Sequence, residues 1–79
     1  MTVTIELDAI GLLCPLPVLK ARKRLAQLAS GDRLRLLADD RAALIDIPHF
    51  CAEAGHQLLS QETSGRTLVF VIEKGGVAA

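Results

Sequence analysis

Residues 2–38, TVTIELDAIGLLCPLPVLKARKRLAQLASGDRLRLLA, decide the fold, because the hydrophobic period changes twice within them. Thr2-Val3-Thr4-Ile5-Glu6-Leu7 alternates polar and apolar side chains, so Val3, Ile5 and Leu7 share one face of a half-buried strand. Asp8 to Leu13 form a short connection with Gly11 as its turn residue. From Pro15 the period lengthens. Val18, Ala21, Leu25, Leu28 and Ala29 recur at helical spacing, while Lys20, Lys23, Arg24 and Gln27 gather on the opposite side. Ser30-Gly31-Asp32 closes this helix, with Gly31 as a left-handed cap. Arg33 to Ala38 return to period two as a second strand.

Working outward, Asp39 and Asp40 offer capping oxygens to a helical turn through Ala42, Ala43 and Leu44. Asp46 recaps before Ile47 and Pro48, so Pro48 opens a second main helix that carries Phe50, Cys51 and Ala54 and stops at Gly55. Residues 57–63 and 67–73 read as strands, with Ser64-Gly65 turning between them as a hairpin. Residues 75–79 are a loose tail. The order β-α-β-α-β-β has no repeat or linker, which predicts one domain over residues 1–79. A right-handed crossover makes the first two strands parallel, and the hairpin makes the last two antiparallel. The expected fold is a two-layer α/β sandwich, with a four-stranded mixed sheet and two helices on one face. The other face, with Thr2, Thr4, Glu6, Arg33 and Arg35, meets water.

Composition narrows the function. The 79 residues are 51% hydrophobic and 23% charged, which is globular composition. Nine basic residues balance nine acidic ones, so the general attraction of a nucleic-acid binder is missing. Phe50 and Phe70 are the whole aromatic content, leaving no platform for stacked bases. No apolar run reaches the ~20 residues of a membrane span, and the N-terminus lacks signal-peptide character. Cys14 and Cys51 are too few for a disulfide scaffold, and they fit a reducing cytoplasm.

Cys14-Pro15-Leu16-Pro17 is the informative tetrapeptide. It puts Cys14 at the N-cap of the first helix, with Pro15 as first helical residue. A thiol there faces the positive helix end, which favours thiolate. Pro15 and Pro17 delete two first-turn N–H groups, so those of Leu16 and Val18 are left for an anionic sulfur. The prolines are read as fixing the loop-to-helix transition rather than as packing. The competing reading makes Cys14 a small buried hydrophobe. The residues alone leave the two level, and they mark no dedicated base.

The run Leu7 to Lys20, with Asp8, Gly11, Leu12, Cys14, Pro15 and Pro17 in register, resembles the TusA/SirA family of small sulfur-carrier proteins. Further matches are Gly31-Asp32, Ala38-Asp39-Asp40, Asp46 to Cys51 and Gly55 to Leu59. The resemblance implies that Cys14 carries sulfur as a persulfide, supported at the helix start by Asp8, Gly11, Pro15, Leu16, Pro17 and Val18. It implies a cysteine desulfurase or rhodanese-like donor and a downstream acceptor protein. No cofactor or metal, no direct nucleic-acid contact and no membrane contact are expected of the carrier, which is monomeric when free. Family uses of the sulfur are tRNA thiolation, sulfur oxidation and cofactor biosynthesis. The chain departs from the family at Ile10, Leu13 and Ile45, where basic residues are common.

Lys20, Lys23 and Arg24 read as a solvated helix face, or as a docking patch for an acidic partner. Cys51 reads as a packing residue rather than a resolving thiol, and His49 and His56 lack zinc-ligand spacing. Two rival functions remain. One is a non-catalytic interaction or regulatory module using Ile10, Leu13 and Leu16 as an apolar rim. The other is an RNA-binding module, disfavoured by charge and aromatic content.

Overall fold

Residues 33–38 and 67–73, which alternate buried and more exposed side chains, build the centre of the sheet. The computed structural model describes residues 2–75, in the order β1 (Thr4–Asp8), α1 (Leu16–Leu25), β2 (Arg33–Ala38), α2 (Ala43–Ala54), β3 (Gln57–Ser64) and β4 (Thr67–Glu73). The strands lie in the order β1-β2-β4-β3. β1 runs parallel to β2, and β4 runs antiparallel to both β2 and β3. The β-α-β-α-β-β sandwich is therefore the one the periodicities predict. Apart from Gly75, the expected tail lies outside the described residues.

Period two places Leu34, Leu36 and Ala38 of β2 and Leu68, Phe70 and Ile72 of β4 on one buried face. Register then stacks the core in rows. Ile5, Leu34, Ile72 and Leu58 form one row across the four strands, and Leu7, Leu36, Phe70 and Gln61 form the next. Ala21 and Leu25 of α1, with Ala43, Ile47, Phe50 and Cys51 of α2, close over these rows. Each large aliphatic or aromatic side chain removed from water there contributes roughly 1.5–3 kcal/mol. The rows also explain why β3 is the most exposed strand. After a bulge at Leu59, it offers Gln61 and Thr63 where its neighbours offer Phe70 and Leu68.

The opposite face is wet, as expected. Arg35 pairs with Glu6 at 2.6 Å, and Arg33 with Glu73 at 3.5 Å. Both pairs are partly exposed and contribute little stability.

Three local expectations are corrected. First, α1 ends at Leu25 rather than Ala29. The next amides make tighter bonds, Gln27 to Arg24 and Leu28 to Leu25, and the Lys74 ammonium takes the Leu25 carbonyl at 2.6 Å. Gly31 still makes the left-handed turn, at φ 90°. Second, Asp32 does more than close the helix. It is nearly buried, and its carboxylate accepts from the Val3 and Ala29 amides, tying β1 to the chain after α1. Third, the predicted turn at Ala42 to Leu44 and the helix opened by Pro48 are one continuous α2, with Pro48 inside it. Asp46 is therefore a first-turn residue of α2 and not a cap. Gly55 ends α2 in the left-handed region, as expected. No helix among the described residues is long and apolar enough to cross a membrane.

Candidate functional site

The loop between β1 and α1 is short and is held mainly by carboxylates. Asp8 accepts from the Ile10 amide at 2.9 Å, and Asp39, beyond the end of β2, accepts from the Gly11 amide at 2.9 Å. Gly11 has φ 84°, a conformation that a side chain would oppose. Asp40 accepts from the Cys14 amide at 2.6 Å with one oxygen and from the Ala42 amide at 3.1 Å with the other. The capping role read for Asp39 and Asp40 is corrected: the N-cap of α2 is Ala42, with no side-chain partner. Asp40 bonds the turn just before it and pins the cysteine, and Asp39 serves Gly11 instead. The Cys14 and Ala42 amides hold the Asp40 carboxyl below the ordinary carboxylate range, the Cys14 contact being the larger cause.

Cys14 lies one residue further from the helix than the sequence indicates. Pro15 occupies the N-cap position and Leu16 is the first helical residue, with a cis bond between Cys14 and Pro15. The Leu16 amide is bonded to the Leu13 carbonyl at 2.8 Å, so it is not left for sulfur. Pro17 is buried, so it packs as well as shapes the turn.

The exposed Cys14 thiol donates to Asp46 of α2, with Sγ 3.0 Å from Oδ2. This reverses the electrostatics expected from the helix terminus. The Asp46 hydrogen bond is the first cause raising the Cys14 thiol above its ordinary value, followed by desolvation and the nearby charges of Asp46 and Asp40. Cys51, by contrast, is 2% exposed in α2, and burial pushes its thiol up to about 11.

Cys14 opens onto a groove of about 260 Å³ between the two helices. Pro15, Val18 and Arg22 line one wall; Asp46, His49, Phe50 and Glu53 line the other. Arg22 lies over the Phe50 ring at 5.5 Å, and His49 contacts Glu53 at 3.1 Å. Lys20, Lys23 and Arg24 are elsewhere, around a smaller hollow beside Leu7. Ile10, Leu13, Leu16 and Leu19 are exposed near Cys14 in sequence, and Ile45, next to Asp46, is 76% exposed. Such surface apolar residues mark contact surfaces when they cluster.

Sequence reasoning missed Asp46, Arg22 and the α2 wall. The signal was present: Ala43, Ile47, Phe50 and Cys51 fall at one helical stripe running straight through Pro48, which makes Asp46 part of a single helix facing α1.

The family model for sulfurtransferase TusA matches residues 5–74. This chain belongs to the TusA family. The match spans β1 to the end of β4, and includes the Cys14 loop and both groove walls. Among solved structures, the chain is similar to the crystal structure of a SirA-like protein from Desulfitobacterium hafniense. The two are 29% identical with a TM-score of 0.79, covering 90% of this chain and 97% of the other. Membership of the TusA family makes the chain a sulfurtransferase of carrier type, which works between relay partners.

Proposed function

We propose that residues 1–79 act as one sulfur-carrier domain in which Cys14 holds the transferred sulfur. The observation that carries this reading is the contrast between the thiols: Cys14 is exposed at the lip of a groove, and Cys51 is buried on the inner face of α2. The Cys14 sulfur attacks the outer sulfur of a donor persulfide. A new S–S bond forms on Cys14, the donor S–S bond breaks, and the donor sulfur leaves as a thiolate that takes up a proton. No net oxidation occurs. In the reverse sense, an acceptor thiolate attacks the outer sulfur of the Cys14 persulfide and Cys14 departs with the bonding pair.

The donor is a cysteine desulfurase or a rhodanese-like protein, and the acceptor a protein of tRNA thiolation, sulfur oxidation or cofactor biosynthesis. The carrier works in the reducing cytoplasm, where both thiols stay free, and is monomeric between encounters. Asp8, Gly11 and Pro15 to Val18 position Cys14. Lys20, Lys23 and Arg24 provide a basic docking patch for an acidic partner on the β1 side of α1. Incubation with cysteine and a desulfurase, followed by intact mass, tests the reading. Wild type and Cys51→Ala gain a reducible sulfur atom, and Cys14→Ser gains none; gain on Cys14→Ser would overturn it.

A further inference from the structure

The thiol of Cys14 faces carboxylates where a sulfur nucleophile ordinarily faces an imidazole or a cation. Asp46 reaches it from α2 at 3.0 Å, and Asp40 holds its amide at 2.6 Å. An anionic carboxylate only accepts hydrogen bonds, so this contact requires the proton to be on sulfur. The groups facing Cys14 across the groove are Arg22 of α1 and Asp46, His49 and Glu53 of α2. Arg22 is stacked on Phe50 and His49 contacts Glu53. Among the described residues, none of these cations bonds the sulfur.

Asp46 is also badly matched as a general base. Its hydrogen bond and its negative charge both raise the Cys14 thiol, so they hold the proton on sulfur instead of drawing it away. The geometry points instead to a holding role: we propose that Asp46 is a positioning residue that keeps Cys14 as a neutral thiol aimed into the groove, making the free carrier a poor nucleophile. The role rests on Cys14 being the carrier cysteine. Its consequence is selectivity. Small electrophiles and oxidants, which react with thiolate, find little of it. A docked donor that brings a basic group against Asp46 removes the lock at the moment of transfer.

The test measures alkylation of Cys14 by iodoacetamide from neutral to alkaline pH, followed by peptide mass, in wild type, Asp46→Asn and Asp46→Ala. Both variants shift the Cys14 titration midpoint down and alkylate roughly two- to fivefold faster at neutral pH, the size expected of one exposed charge. In the wild-type chain, added salt lowers the same midpoint by screening both carboxylates. The same variants accept sulfur from glutathione persulfide, a donor that cannot dock, faster than wild type. A midpoint unmoved or raised, by either substitution or salt, overturns the lock. Because alkylation needs no sulfur donor, a shifted midpoint in a chain that never accepts sulfur would sink the carrier reading and leave the lock standing.

Discussion

The two cysteines sit in regions built by different physics. Around Cys51, side chains from α2, β2 and β4 interlock, and position follows from apolar contact. Around Cys14 the loop is aimed by carboxylates from distant parts of the chain: Asp39 and Asp40 after β2, and Asp46 in α2. Packing fixes the first region and a few polar contacts fix the second. Perturbing the core should therefore cost stability, and perturbing the loop or its carboxylates should change sulfur chemistry.

The largest expected effect is in the core. Phe70 is fully buried at the centre of β4, and Phe70→Ala should cost about 3–5 kcal/mol. That approaches the ~3–5 kcal/mol available to a core of this size, so chemical denaturation should find this variant largely unfolded. A well-folded Phe70→Ala chain would break the comparison from the core side.

This division also explains what was legible in the sequence. Periods of two and 3.6 reach only as far as neighbouring residues, and they were enough for β1, β2, β4, both helices and the mixed sheet. The cysteine loop was legible as a motif, but its partners were not, because Asp40 and Asp46 lie 26 and 32 positions away from Cys14. Asp46-Ile47-Pro48 misled for a local reason. Proline at a first turn is the common arrangement, whereas here Pro48 lies inside α2 and Asp46 faces α1 rather than its own amides. Pro17 was read as a conformational device and is also a packed side chain.

Pro17 sharpens the comparison because it belongs to both regions. Pro17→Ala removes buried ring carbon and frees the unfolded backbone, and should lower stability by about 1–2 kcal/mol. Thermal melts check this, and an unchanged or higher Tm would mean that the buried ring contributes no net packing. Sulfur acceptance by the same variant, measured below its Tm, should slow further than the lost folded fraction accounts for.

A smaller effect belongs to Asp40. Its carboxyl is held low by two amides that need the charged form. Because its folded value lies below its unfolded value, the stability it adds is present above the ordinary carboxylate range and lost as pH falls through the folded value. Asp40→Asn should therefore lower Tm slightly at neutral pH and leave it nearly unchanged in acid. An equal loss at both pH values would show that the carboxylate charge does not hold the loop. Its sulfur acceptance should fall more than its Tm suggests, since the Cys14 amide is left with a neutral acceptor in place of a charged one.

The claim that most needs testing is that the transferred sulfur rests on Cys14 and never on Cys51. After loading from a desulfurase, the folded wild-type chain can be trapped with an alkylating reagent, digested and sequenced by mass spectrometry. The account predicts alkylated persulfide on the peptide containing Cys14, and an unmodified thiol on the peptide containing Cys51 until the chain is unfolded. Sulfur on Cys51 in the folded chain, or on both cysteines equally, would contradict it.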